Sequence, residues 1–65
     1  MAFYPVGSQV LLNTGENGIV IRQNKGFPER PVVRIIIGEE ETEENRTLVR
    51  NLLYENSVFI EDVIN

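Results

Sequence analysis

Along Arg30-Pro31-Val32-Val33-Arg34-Ile35-Ile36-Ile37-Gly38 the odd positions Val33, Ile35 and Ile37 make an unbroken apolar face, while Arg34 interrupts the even face between Val32 and Ile36. A period of two belongs to a strand, and β-branched side chains suit a pleated surface better than a helix. The stretch therefore predicts the central strand, with one face in the core and the other half covered. Pro31, which lacks an N–H, fits only as this strand's first residue.

Upstream, Phe3, Tyr4 and Val6 around Pro5 and Gly7 predict an extended arm that closes one end of the core. Gln9-Val10-Leu11-Leu12-Asn13 alternates as a strand, with Val10 and Leu12 inward. Asn13-Thr14-Gly15-Glu16-Asn17-Gly18 is a hairpin signature with Gly15 as the turn glycine. Gly18 then marks a bulge or a close backbone crossing at the head of a strand Ile19-Val20-Ile21-Arg22-Gln23, whose Ile19 and Ile21 are expected to face the core. A loop over Asn24 to Glu29 leads into the central strand, with Pro28 and Pro31 holding their neighbours extended.

Downstream, Glu39 to Glu44 contains five glutamates and can bury nothing, which predicts a solvated loop tip. Arg46 to Leu53 satisfies two patterns, since Leu48, Val49, Leu52 and Leu53 recur at helical spacing yet a strand would let the sheet continue. A strand is chosen, with a single turn near Tyr54-Glu55-Asn56. Val58 to Ile64 is a last strand, expected to pair with the first strand or the arm and so remove the sheet's edges. The sum is one all-β domain over residues 1–65, a small five-stranded SH3-like, partly open barrel.

Composition narrows the chemistry. A chain of 65 residues hides only about 60% of the surface its unfolded form exposes, so the core is small and leaves little room for a deep cleft. Without Cys there is neither a disulfide framework nor a thiolate site, and without His transition-metal ligation and a histidine base are both missing. The glutamate run lacks the spacing and glycine of a calcium loop, so no metal and no cofactor is expected. Ser8 and Ser57 have no base in pattern, and Glu61 and Asp62 point to opposite strand faces, so no catalytic set is expected. A net charge of −4 disfavours nucleic acid and an anionic membrane. No Lys or Arg precedes Arg22 and no apolar run is long enough for a signal or a membrane span, which predicts a cytoplasmic protein.

Two features could form a binding surface. Arg22, Lys25, Arg30 and Arg34 fall on two strands and their loop, where a hairpin would gather them into a basic strip; the plainer reading pairs them with the surface acids. Tyr4, Phe27 and Tyr54, with Pro5, Pro28 and Pro31, could line a shallow groove for an extended peptide; the plainer reading spends the aromatics on core packing and loop anchoring.

Four short motifs in order, Tyr4-Pro5-Val6-Gly7-Ser8, the Gly15 to Val20 turn after Leu12, Arg30-Pro31-Val32-Val33, and Asn51-Leu52 with Val58-Phe59-Ile60, carry a family resemblance. From Tyr4 to Ile64 the chain resembles the segment C-terminal to the catalytic domain of bacterial HD-GYP proteins, metal-dependent phosphohydrolases that cleave cyclic di-GMP. Their catalysis uses a His and Asp metal cluster, and with no His here no catalytic residue carries over. The resemblance implies an accessory domain within a longer parent, whose partner is the catalytic core that it packs against, orients or dimerises. Separately, strand, Gly-x-x-Gly turn and strand around Gly15 and Gly18 is similar to the start of KOW and other SH3-like barrels. That likeness carries the alternative of a free-standing module for a peptide or nucleic acid.

Overall fold

Gly15 and Gly26, at φ +91° and +84°, set the two turns from which the sheet grows, in a region of backbone space that side chains disfavour. The computed structural model describes residues 4–37 and 48–64. Its strands are β1 (Gln9–Leu12), β2 (Asn17–Asn24), β3 (Phe27–Ile36), β4 (Val49–Asn51) and β5 (Ile60–Val63). They form one antiparallel sheet in the order β4-β3-β2-β1-β5, so the all-β, five-stranded expectation holds. β4 and β5 remain the outer strands, and the sheet is that of a partly open rather than a closed barrel.

The first hairpin follows the sequence. Gly15 N donates to Leu12 O at 3.0 Å and Leu12 N to Glu16 O at 2.9 Å. The second hairpin corrects it. Asn24 pairs with Phe27, so the connection is Lys25-Gly26 alone and the expected loop residues Phe27, Pro28 and Glu29 belong to β3. Pro31 is accordingly mid-strand and buried. The β2–β3 register slips between the Arg22–Val32 and Asn24–Phe27 pairs, and this irregularity accommodates a residue without an N–H, while Pro31 O accepts from Leu52 N at 3.2 Å.

The facing of β2 also differs from expectation. The inward positions are Gly18 and Val20, both buried, while Ile19 is half-buried on the opposite face and Ile21 is 42% exposed. Gly18 stands across from Ile35, where a Cβ would overlap Val33 Cγ1 and lie 3.1 Å from Arg34 O. The close backbone crossing is real, and by taking an inward place it shifts the face by one residue. Ile21 falls at a second register slip, between Val20 and Arg22, and turns outward.

Val10, Leu12, Val20, Val33, Ile35, Leu52 and Val58 form the core, with Tyr4 and Ile60 packed against it. Ile37, expected inward, is 46% exposed because it lies past Ile36, the last paired residue of β3. Leu52 and Val58 come from the β4–β5 connection rather than from strands, and cover the core where the sheet is open. Burial of each such side chain stabilises the fold by about 1.5–3 kcal/mol.

The ambiguous stretch is a strand and then a turn, as chosen, and among the described residues it forms no helix. Val49–Asn51 is a strand, paired with Val32 to Arg34, and then Tyr54 N and Glu55 N donate to Asn51 O at 3.0 and 3.2 Å as in one turn of a helix. A further turn is closed by Val58 N donating to Glu55 O at 3.1 Å, where a single turn was expected. β5 pairs with β1 as anticipated, through Val10–Val63, Leu11–Asp62 and Leu12–Ile60. The arm lies along β2, Gly7 N donating to Val20 O at 2.7 Å and Val20 N to Ser8 O at 2.9 Å. The Glu39 to Glu44 run lies outside the described residues.

Candidate interaction surface

The four cations of the expected strip occupy different settings. Arg30 has its guanidinium on the β4–β5 connection. Nη1 donates to Leu52 O at 2.8 Å, Val58 O at 3.2 Å and Glu55 O at 3.5 Å, and Nη2 to Asn56 O at 3.3 Å. Carbonyls in a turn have no ladder partner, and a planar fork of donors can serve several at once. Asn24 completes the clasp, its Nδ2 donating to Arg30 O at 2.6 Å and to Asn51 Oδ1 at 2.8 Å. Arg22 is exposed on β2 and Lys25 is exposed in the two-residue turn, while Arg34 is half-buried in the middle of β3.

The aromatic candidates lie on three elements. Tyr4 is in the arm against the core, its carbonyl accepting from Gln23 Nε2 at 2.6 Å. Phe27, 46% exposed, opens β3 beside the half-buried Pro28. Tyr54 is 79% exposed in the turn after β4.

Sequence reasoning did not single out Arg50. It lies between two carboxylates, Nε donating to Glu16 Oε1 at 2.7 Å, Nη2 to Glu16 Oε2 at 3.3 Å and Nη1 to Glu55 Oε1 at 2.6 Å. Thr14 Oγ1 donates to Glu16 Oε1 at 2.8 Å. The hydrogen bonds from Arg50 and Thr14 hold the Glu16 carboxyl below its usual range, and those to Glu16 and Glu55 raise Arg50. Glu16, Ile35, Leu48, Val49 and Arg50 line a shallow cleft of about 150 Å³ at this end. Nothing in the local pattern pairs positions 34 residues apart, so only the fold reveals this cluster.

Register defines the face turned away from the core. Val49, Arg34, Ile19 and Gln9 form one row across four strands, and Ile36, Asn17, Leu11 and Asp62 a second. Arg22 joins them through its pairing with Val32. Among the described residues, no group of His, Cys, Asp or Glu is arranged to hold a metal ion, and no helix is long and apolar enough to cross a membrane.

Compared with known families, residues 9–65 match the model of the KOW domain associated with HD domain. The chain belongs to this family. The HD-associated KOW domain thus includes the whole sheet, β1 to β5, and the Gly15 to Gly18 turn that prompted the KOW likeness, while the arm lies before the matched region. The family also agrees with the resemblance to an accessory segment of HD-domain proteins. Comparison with curated proteins and with solved structures gave no match.

Proposed function

We propose that this KOW domain is a non-catalytic accessory domain of an HD-GYP-type phosphohydrolase, packing against, orienting or dimerising its catalytic core in cyclic di-GMP signalling. The family match over residues 9–65 carries the reading, because it associates the domain with HD domains. The absence of His from the sequence supports a role in contact rather than in metal-dependent hydrolysis. Its catalytic partner supplies the chemistry, and the domain acts in the cytoplasm. The test is removal of residues 1–65 from the HD protein that carries or accompanies them. Cyclic di-GMP hydrolysis, thermal stability or oligomeric state of that protein changes if the reading is right; all three unchanged would overturn it.

A second reading has its own support in the β2–β3 hairpin, where Arg22, Lys25 and Phe27 are exposed together on one short element. A free-standing SH3-like module would use them for a peptide or a single-stranded nucleic acid. Titration with proline-rich peptides and single-stranded RNA at two salt concentrations separates the two readings.

A further inference from the structure

β5 ends the sheet on one side, and among the described residues β1 is its single ladder partner. A strand in that position presents backbone N–H and C=O groups that another chain can pair with. The sequence around β5 favours such pairing. Val58-Phe59-Ile60 and Val63-Ile64 are all β-branched or aromatic, and Phe59, Val63 and Ile64 are 49%, 42% and 52% exposed. β4, the other outer strand, has only three residues, and its Arg50 is already held by Glu16 and Glu55.

Glu61 and Asp62 interrupt this apolar run, and both are exposed. Three features set them against an added strand. Asp62 Oδ1 accepts from Val63 N at 2.9 Å, so a side chain already occupies a donor that does not serve β1. Glu61 is the extra residue of a bulge, since between the Leu12–Ile60 and Leu11–Asp62 pairs β1 advances one residue and β5 two, and a bulge twists an edge away from a flat partner. Finally, two copies pairing antiparallel about the middle of Ile60–Val63 would set Glu61 of each opposite Asp62 of the other. Like charges directly opposite destabilise a strand pair.

We infer that Glu61 and Asp62 guard the β5 edge, holding the domain back from joining a second copy of itself edge to edge in one continuous sheet. The bulge and the capped N–H hinder any strand, whereas the repulsion is specific to a copy, which brings the same acids. Charged residues within an unavoidable apolar strand act in this way against self-association. The inference does not depend on the accessory-domain reading.

The experiment is sedimentation velocity of the 65-residue chain over a range of concentrations, with hydrogen exchange at the Val63 amide reporting on the edge. Glu61→Gln with Asp62→Val removes both charges and the acceptor. It should tighten self-association by about tenfold, with Val63 exchange slowing as concentration rises. Glu61→Lys with Asp62→Lys restores like charges and should self-associate as weakly as the unsubstituted chain, while an equimolar mixture of the two should form a 1:1 dimer protected at Val63. A neutral variant that is folded by circular dichroism yet associates no more tightly than the unsubstituted chain overturns the inference. So does a dimer of the unsubstituted chain in which Val63 exchange slows with concentration. A lysine variant that self-associates as tightly as the neutral one, or a mixture that gives no dimer, overturns charge repulsion as the cause.

Discussion

Arg50 Nε donates to Glu16 Oε1 at 2.7 Å, joining β4 to the turn between β1 and β2 across the end of the core. Because the Glu16 carboxyl titrates below its usual value in the fold, its contribution is present above the unfolded-state pKa of about 4.3 and is lost as pH falls through the lower folded value. Both side chains are about a third exposed, at 33% and 31%, so the pair is worth no more than about 1 kcal/mol. Urea unfolding should therefore show stability falling as pH drops below about 4.3, with Glu16→Gln flattening that slope. An unchanged slope would mean that the ion pair contributes nothing to folding.

Gly18→Ala should destabilise the domain by about 1–3 kcal/mol, because the new Cβ overlaps Cγ1 of Val33, a fully buried core residue, and crowds the Arg34 carbonyl. Gly15→Ala has open space but keeps φ +91°, and should cost about 1 kcal/mol through backbone strain alone. Denaturant midpoints of the two variants, compared side by side, distinguish a steric from a conformational requirement.

Replacing Arg30 with methionine keeps much of the stem and removes the donors from Leu52, Glu55, Asn56 and Val58 carbonyls, for a loss of about 1.5–3 kcal/mol. Lysine should rescue little, since a point ammonium cannot reproduce the fork. Arg22→Met, at an exposed position, should change stability by less than about 0.5 kcal/mol. Equal effects at positions 22 and 30 would contradict the clasp.

Leu52→Ala should cost about 2–5 kcal/mol, a large part of the stability of so small a domain, although Leu52 lies outside every strand. Tyr54→Ala, two residues on and 79% exposed, should be close to neutral. Thermal unfolding by circular dichroism reads both.

The strand at Val32 to Ile36, the inward pair Val10 and Leu12, and the turn glycine Gly15 were legible because each depends on neighbours within a few residues. Ile19 and Ile21 misled because periodicity fixes which residues share a face, not which face is the core. A glycine at 18 reads as an empty position until the strand across it is known. Pro31 misled because the register slip that accommodates it is a property of two strands. Of the expected surface, exposure at Arg22, Lys25 and Tyr54 is where local polarity put it, whereas Arg30 is engaged by carbonyls 22 to 28 residues away. The same distance in sequence hid Arg50 and Glu16.

The pairing of β1 with β5 has a consequence for synthesis. Val10 pairs with Val63, so the sheet cannot be completed until β5 has left the ribosome. Pairings that close such long loops pay their entropy before any contact rewards it, and domains dominated by them fold in milliseconds to seconds. Meanwhile the β2–β3 hairpin, joined by two residues, can form within about 1–10 μs and wait. The last strand to emerge therefore acts as the latch of the domain, and a chain cut before Ile60 would hold its hairpin with β1 left without the partner on its other side.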